Sequence, residues 1–428
     1  MTSPKFSPAE NGVLAGVKVV EFAQNAAVPQ CARLLAGMGA DVVKVEPPTG
    51  DAMRHLAPLT GHESRAYATI NPGKRAICLD LTAESSRPVA DRLVQWADVA
   101  LMGFKRTDLE RFGLHWERVH ELNPTLVSLE FTAYGPKGPE ADQPGYDMLI
   151  QAFSGLGFSM NRTNDGVPLP TRPAFVDFSS GAMACVGVVA ALRHRDRTGV
   201  GERVDASLLG TALSLGTPMF QRFEQDAEGL EQLREELDLL RQAGTGFVEQ
   251  RAHYETRVNS GFLFRVYVRP YRTADGLISI SGFSPGLIAR FHELTGLEQL
   301  PLSTQPGTPE FDRVVGAAEA LFATKSTAEW LEALQQVGYP CARFNTPDEA
   351  VGEVQAIAND YVVDLDHPDF GGYRTIGMPF SFGTAPVGVS TPSPRLGEHT
   401  HQVLSELGMS DDEITTLNDT GVVGTDAE

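Results

Sequence analysis

Cysteine is scarce and scattered in this chain: Cys31, Cys78, Cys185 and Cys341 stand among 428 residues, with no CxxC pair. That spacing excludes a zinc ribbon or a disulfide scaffold, and it points to a reducing cytoplasm. Cys78 and Cys185 have apolar neighbours and read as small core residues. Cations are outnumbered, with 35 Lys and Arg against 55 Asp and Glu, for a formal charge of −20. A general nucleic-acid surface needs clustered cations, so that class is excluded, although a local cationic patch is not. The longest apolar run, around Ala182–Leu192, is shorter than a membrane span and reads as a packed helix. The opening MTSPKFSPAENG lacks the apolar stretch of a signal peptide.

Strand and helix periodicities alternate through the first third of the chain. VKVVEFA (17–23), DVVKVEPP (41–48), AICLDL (76–81), DVALMG (98–103) and LVSLEFTAYG (126–135) read as strands. VPQCARLLAGMGA (28–40) and ESSRPVADRLVQWA (84–97) read as helices between them. The pattern predicts a doubly wound α/β large domain. Its first strand-to-helix connection, AQNAAVPQ, has no GxGxxG, which argues against a nicotinamide cofactor. Residues 205–240 contain a long helical stretch, including the acidic EQDAEGLEQLREELDLLRQAG, and YVRPYRTADGLISISG (267–282) reads as a hairpin. The segments after it imply a smaller, mostly helical α/β domain. Boundaries fall at 1–225 for the large domain, 226–355 for the small one and 356–428 for a return segment to the large domain.

Asp177 lies in TRPAFVDFSSGAMACVGVVAALRHRDRTGVGERVDAS, between an apolar approach and a run of small residues. Read from pattern alone, Asp177 or Ser179 caps a helix that begins near Gly181. The alternative is chemistry: a carboxylate where a loop enters a helix is rigidly held and sits beside N–H groups able to receive an oxyanion.

From about Leu14 to His401 the chain resembles the family III CoA-transferases, a class that also contains the alpha-methylacyl-CoA racemases. The resemblance is carried by GVKVVEFAQ, ADVVKVEPPTGD, NPGKRAICLDL, YGPKGP, GYDMLIQAFSG, the Asp177 segment and RLGEHTHQVLSELG. It implies that Asp177 is a nucleophile, forming first a mixed anhydride and then an aspartyl-CoA thioester. Backbone N–H groups near Ser179–Gly181 are candidates for the oxyanion. The resemblance also implies an interlocked homodimer, a CoA thioester as substrate, a carboxylic acid acceptor, and no tightly bound cofactor or metal.

The same resemblance places CoA contacts around NPGKRAICLDL and MGFKRTDLERFG. Lys74, Arg75, Lys105 and Arg111 offer charge to its phosphates, as does Arg54. Leu79, Gly103 and Phe104 would pack its adenosine, and Ala26 and Tyr146 would line the acyl pocket. The chain departs from the formyl-CoA type at Gly103, which precedes Phe104 where those members have Asn, and at Ala26, where they have Gln. Pro47 stands where they have Arg, and QAGTGFVEQRAHYETRVNSGF (242–262) lacks their glycine-run loop. The racemases place His at the position of Tyr146, and a phenol is a poor base without strong perturbation. Asp147 is either a pocket carboxylate or a structural hydrogen-bond acceptor. Glu398, His399 and His401 lack the further ligands that a metal site requires. Two alternatives to a transferase stay open: a 2-methylacyl-CoA racemase, and a non-catalytic CoA-binding subunit.

Overall fold

The computed structural model describes residues 8–60, 63–258, 266–301, 304 and 307–424. They divide into two units, one running to Asp226 and resuming at Ile357, the other spanning Ala227–Ala356. In the first unit, β1 (Lys18–Phe22), β2 (Asp41–Glu46), β3 (Arg75–Leu79), β4 (Val99–Met102), β5 (Val127–Thr132) and β6 (Glu202–Ser207) form one parallel sheet. Their spatial order is β6-β5-β4-β1-β2-β3. Val19 of β1 pairs with Val42 on one side and Val99 on the other. Central strands of such a sheet are covered on both faces, which is why Val19, Val20 and Phe22 are fully buried in succession.

The strand order 3-2-1-4-5-6 is the doubly wound arrangement expected from the sequence, and it reverses direction between β1 and β4. At that point the connections leave on opposite faces and open a crevice at the carboxyl ends of the two strands. The chain after β1 turns into helix α1 (Ala27–Gly37). The chain after β4 runs through Gly103, whose N–H donates to the Phe22 carbonyl at 2.9 Å. A side chain at Gly103 would meet the Ala23 Cβ at 2.7 Å, so the close approach of these two strand ends requires glycine here.

Three elements differ from the sequence reading. The Asp177 helix begins at Phe175 rather than near Gly181 and continues to Thr198. Within 205–240 the long helical stretch is Ala227–Gln242, as expected, but β6 extends to Ser207 and a shorter helix, Leu208–Leu215, precedes it. Val423–Gly424 adds an antiparallel strand beside β3, which two residues of apolar pattern could not announce. Of the stretch 242–262, residues 259–262 lie outside the described residues.

We call Asp147–Ser154 helix α2 and Phe175–Thr198 helix α3. Among the described residues, α3 is the one helix long and apolar enough, by length and composition, to cross a membrane. Its stripe of Val176, Ser180, Ala184 and Val188 is instead buried at helical spacing in the core shared with α1. Gly181 lets the two helices touch, since a Cβ there would lie 2.5 Å from the Ala27 carbonyl oxygen. The run of small residues in the sequence thus marks a helix crossing, not a turn.

The second unit has its own core. Strands Val268–Arg272, Leu277–Ser281 and Cys341–Arg343 form an antiparallel sheet. Helices Pro285–Thr295, Pro309–Phe322 and Thr327–Gln336 contribute Phe291, Phe322 and Trp330 to the same cluster as Tyr271. Tyr271 stacks on Phe322 with ring centroids 4.3 Å apart.

Candidate active site

The crevice at the β1/β4 reversal holds a cavity of about 270 Å³. One wall comes from the loop after β1 and the start of α1, Gln24–Val28, and another from Gly103–Lys105 after β4. Phe131–Ala133 at the end of β5, Ala141 and Gln143–Tyr146 before α2, Asp108 and Leu208 also line it, together with Asp177. Of the residues singled out in the sequence, the fold therefore brings Ala26, Gly103, Phe104, Lys105, Tyr146 and Asp177 to one cavity.

Asp177 stands in the first turn of α3, half-buried. The N–H groups of Val176 and Asp177, which the helix cannot satisfy itself, donate to Asp147 Oδ2 at 2.8 and 3.0 Å. Asp147 is buried, and its other oxygen accepts from Gln151 Nε2, which also donates to Thr171 Oγ1 at 2.7 Å. Asp147 is thus the hydrogen-bond acceptor that fixes the helix start. Burial, and then the nearby Asp147 charge, raise the Asp177 carboxyl to about 7. Half-ionised near neutrality, it can serve as nucleophile or as proton carrier. The N–H groups of Ser179–Gly181 lie beyond the first turn of α3, where they bond to helix carbonyls, and so are not free for an oxyanion. This corrects the sequence reading, which placed the helix start six residues too late.

Several expected CoA contacts are committed elsewhere. Arg54 is buried, pairing with Glu46 at 2.8 Å and Glu63 at 2.7 Å while its guanidinium lies 3.6 Å over the Tyr67 ring. Lys74 Nζ, also buried, donates to Glu21 Oε2, the Pro29 carbonyl and Asn71 Oδ1 at 2.8–2.9 Å. Leu79 is a core residue of β3. None of the three presents an atom to a phosphate or an adenine. Arg75 bridges Asp41 and Glu406 at 2.7 and 2.8 Å. Arg111 is exposed, 3.2 Å from Asp108 and 4.6 Å over Phe112. Lys105 remains exposed at the cavity rim. Arg54→Met should cost about 3–5 kcal/mol by leaving buried carboxylates unpaired, with CoA affinity unchanged. Urea melts and titration calorimetry with CoA would check both.

Glu398, His399 and His401 do not converge. Glu398 accepts from the Arg395 N–H at 2.7 Å, His399 Nδ1 receives the Ala76 N–H at 3.3 Å, and His401 pairs with Asp411 at 3.3 Å. Among the described residues, Glu63, His367 and Asp369 do gather as potential metal ligands. They fit a divalent ion poorly. His367 Nδ1 accepts the Asp369 N–H at 3.2 Å, whereas a metal on Nε2 would leave Nδ1 protonated. Arg54 and Arg395 already balance the two carboxylates.

The sequence profile described as CoA-transferase family III matches residues 14–400. The chain belongs to that family. It is 30% identical to the formyl-CoA:oxalate CoA-transferase of Streptomyces avermitilis, over 96% of this chain and 99% of that protein. It is also 30% identical to the succinate–glutarate CoA-transferase of Agrobacterium fabrum, over 92% and 95% of the two chains. Among solved structures, a CAIB/BAIF family protein from Brucella suis superposes with a TM-score of 0.71 at 25% identity, covering 93% of this chain and all of that one. Rv3272 from Mycobacterium tuberculosis gives 0.72 at 27% identity, covering 91% and 98%. As a member of this family the protein is an enzyme of the CoA-transferase type, a class that works on CoA thioesters.

Sequence reasoning missed Gln24, Asn25, Phe131, Gln143 and Leu208 as lining residues. Each sits at or beyond the carboxyl end of a strand or in the chain leading into α2. The usable signal was strand order, and that order depends on long-range pairing.

Proposed function

We propose that this enzyme moves CoA from an acyl-CoA donor to a carboxylic acid acceptor through covalent intermediates on Asp177. The observation that carries the reading is the Asp177 carboxylate itself, fixed by Asp147 at the start of α3 and facing the cavity at the sheet reversal. An Asp177 oxygen attacks the thioester carbonyl, the C–S bond breaks, and CoA leaves as thiolate. The thiolate then attacks the aspartyl carbonyl of the mixed anhydride and expels the donor carboxylate. The acceptor carboxylate attacks the resulting aspartyl-CoA thioester and again releases the thiolate. Attack of that thiolate on the acceptor carbonyl yields the new acyl-CoA and restores Asp177. No ATP is consumed, and each hard exchange becomes two easier ones.

The first N–H groups of α1 have no carbonyl four residues back, and Ala27 and Val28 line the same cavity. They supply dipoles where carbonyl oxygens gain charge. Lys105 at the rim offers a cation to CoA phosphate, and Phe104 an adjacent aromatic surface. Tyr146 lines the cavity and is held by the chain entering α2, where it contacts the acyl group. We further propose that two copies pair through apolar side chains left exposed on α2 and α3, among them Leu149, Phe153 and Val186. None of the four cysteines is in a disulfide, which suits a cytoplasmic enzyme.

The test is a panel of acyl-CoAs, formyl-CoA and succinyl-CoA included, with hydroxylamine trapping and peptide mass analysis. A donor-dependent hydroxamate at Asp177 is expected. α-Deuterium exchange without any adduct would replace this reading with a racemase. The turnover rate should rise with pH through about 7, following ionisation of Asp177. A rate that is flat from pH 5.5 to 8.5 would contradict the assignment.

A further inference from the structure

We propose that the buried Lys44–Asp51 ion pair is a positioning device for the transfer reaction, holding the backbone of Ala23–Asn25 in the shape that forms one wall of the Asp177 cavity. The inference rests on the reading of Asp177 given above.

Lys44 and Asp51 are fully buried and 2.8 Å apart. Lys44 donates to Glu21 Oε1 and to the Ala23 carbonyl, each at 2.9 Å, and its third close neighbour is Asp51 Oδ2, held as an ion pair. Asp51 Oδ1 accepts the Asn25 N–H at 3.2 Å and the Met53 N–H at 2.9 Å. The pair therefore grips the loop after β1 twice, once at a carbonyl and once at an N–H. Asn25, the second anchor, has φ of 67°, a left-handed conformation uncommon for a non-glycine residue although Asn tolerates it better than most. Beyond the loop, Lys74 holds the Pro29 carbonyl in the first turn of α1 and shares Glu21 with Lys44. Residues 24–28, between these anchor points, are those that line the cavity.

Stability alone does not account for the arrangement. Replacing a buried ion pair by apolar groups of similar volume is often neutral or stabilising, so such a pair is weak evidence of a stabilising role. Two charges that also bond to loop backbone, at the Ala23 carbonyl and the Asn25 N–H, do something that apolar side chains cannot: they set where the loop amides point.

The experiment compares wild type with Asp51→Asn, a change of one atom that removes the charge, and with Glu63→Gln. Glu63 belongs to the neighbouring buried network through Arg54 but bonds to no backbone of the loop. Amide hydrogen exchange is read over residues 23–30, together with kcat and KM for succinyl-CoA or whichever donor labels Asp177. Asp51→Asn should speed exchange in that segment by roughly tenfold or more. It should lower kcat about 100-fold with KM changed less than about threefold, as expected when reacting groups are misplaced. Glu63→Gln should shift the melting temperature and leave both exchange in the segment and kcat as in wild type.

Wild-type exchange in the segment of Asp51→Asn, or wild-type kcat in that folded variant, would overturn the proposal. Equal effects from Glu63→Gln would do so too, because they would mark a general loss of stability. If Asp177→Ala retained full activity, the nucleophile reading would fail, while the exchange result would still decide whether the pair holds the loop.

Discussion

Asp177→Asn should lower kcat by about 10⁴-fold or more, because the covalent bond proposed for Asp177 cannot form. The amide keeps the shape of the carboxylate, so the start of α3 should be undisturbed and CoA should still bind. The substitution should also change the pH dependence of stability, in a direction fixed by the raised pKa. The Asp177 carboxyl titrates at about 7 in the fold against 3.8 when unperturbed. Its contribution is favourable and complete below the unfolded value, and is lost as pH rises through 7, where a charge must be held in a buried place. Asp177→Asn removes that penalty, so the variant should exceed wild type by up to about 4 kcal/mol above pH 8, with the excess fading towards pH 4. Paired denaturation curves at pH 4.5 and 8.5 would show it. A variant that is less stable than wild type at both values would mean that Asp177 serves the fold rather than the chemistry.

Asp147 carries the second large effect, and two substitutions separate its two actions. Asp147→Ala removes the acceptor of two backbone N–H groups in a buried setting and should cost about 2–4 kcal/mol. With the first turn of α3 loosened, kcat should fall about 100-fold. Asp147→Asn retains an acceptor oxygen but not the charge. Desolvation is the larger cause of the raised Asp177 carboxyl and the Asp147 charge the lesser. The acid limb of the rate profile should therefore move down by about one pH unit, without returning to an ordinary carboxylate value. Rate profiles from pH 5 to 9 for the two variants would test this. An unchanged limb in Asp147→Asn would show that burial alone sets the Asp177 titration.

The strands of the large sheet were legible because they are central and parallel, and buried on both faces they read as continuous apolar runs such as VKVVEF. Their spatial order was not, since nothing within β1 states that β4 lies beside it. The start of α3 was misplaced because its cap is Asp147, a residue 29 positions from Val176 that no local pattern could supply. Arg54 and Lys74 were mistaken for ligand contacts for a related reason. A cation in a polar stretch looks exposed until its partners are known, and here Glu46, Glu63 and Glu21 arrive from other strands and loops. Asp177, Ala26, Gly103, Phe104, Lys105 and Tyr146 were singled out through the resemblance, whereas Gln24, Phe131 and Leu208, which line the same cavity, were not.

The reversal of strand order between β1 and β4 has an evolutionary consequence. The two connections that wall the cavity leave the sheet on opposite faces, so either can be lengthened, shortened or recomposed without disturbing strand pairing. Ala26 and Gly103, where this chain departs from the formyl-CoA type, fall one in each connection. A fold built this way can change the lining of its cavity over time while Asp177 and its anchor on Asp147 stay where they are.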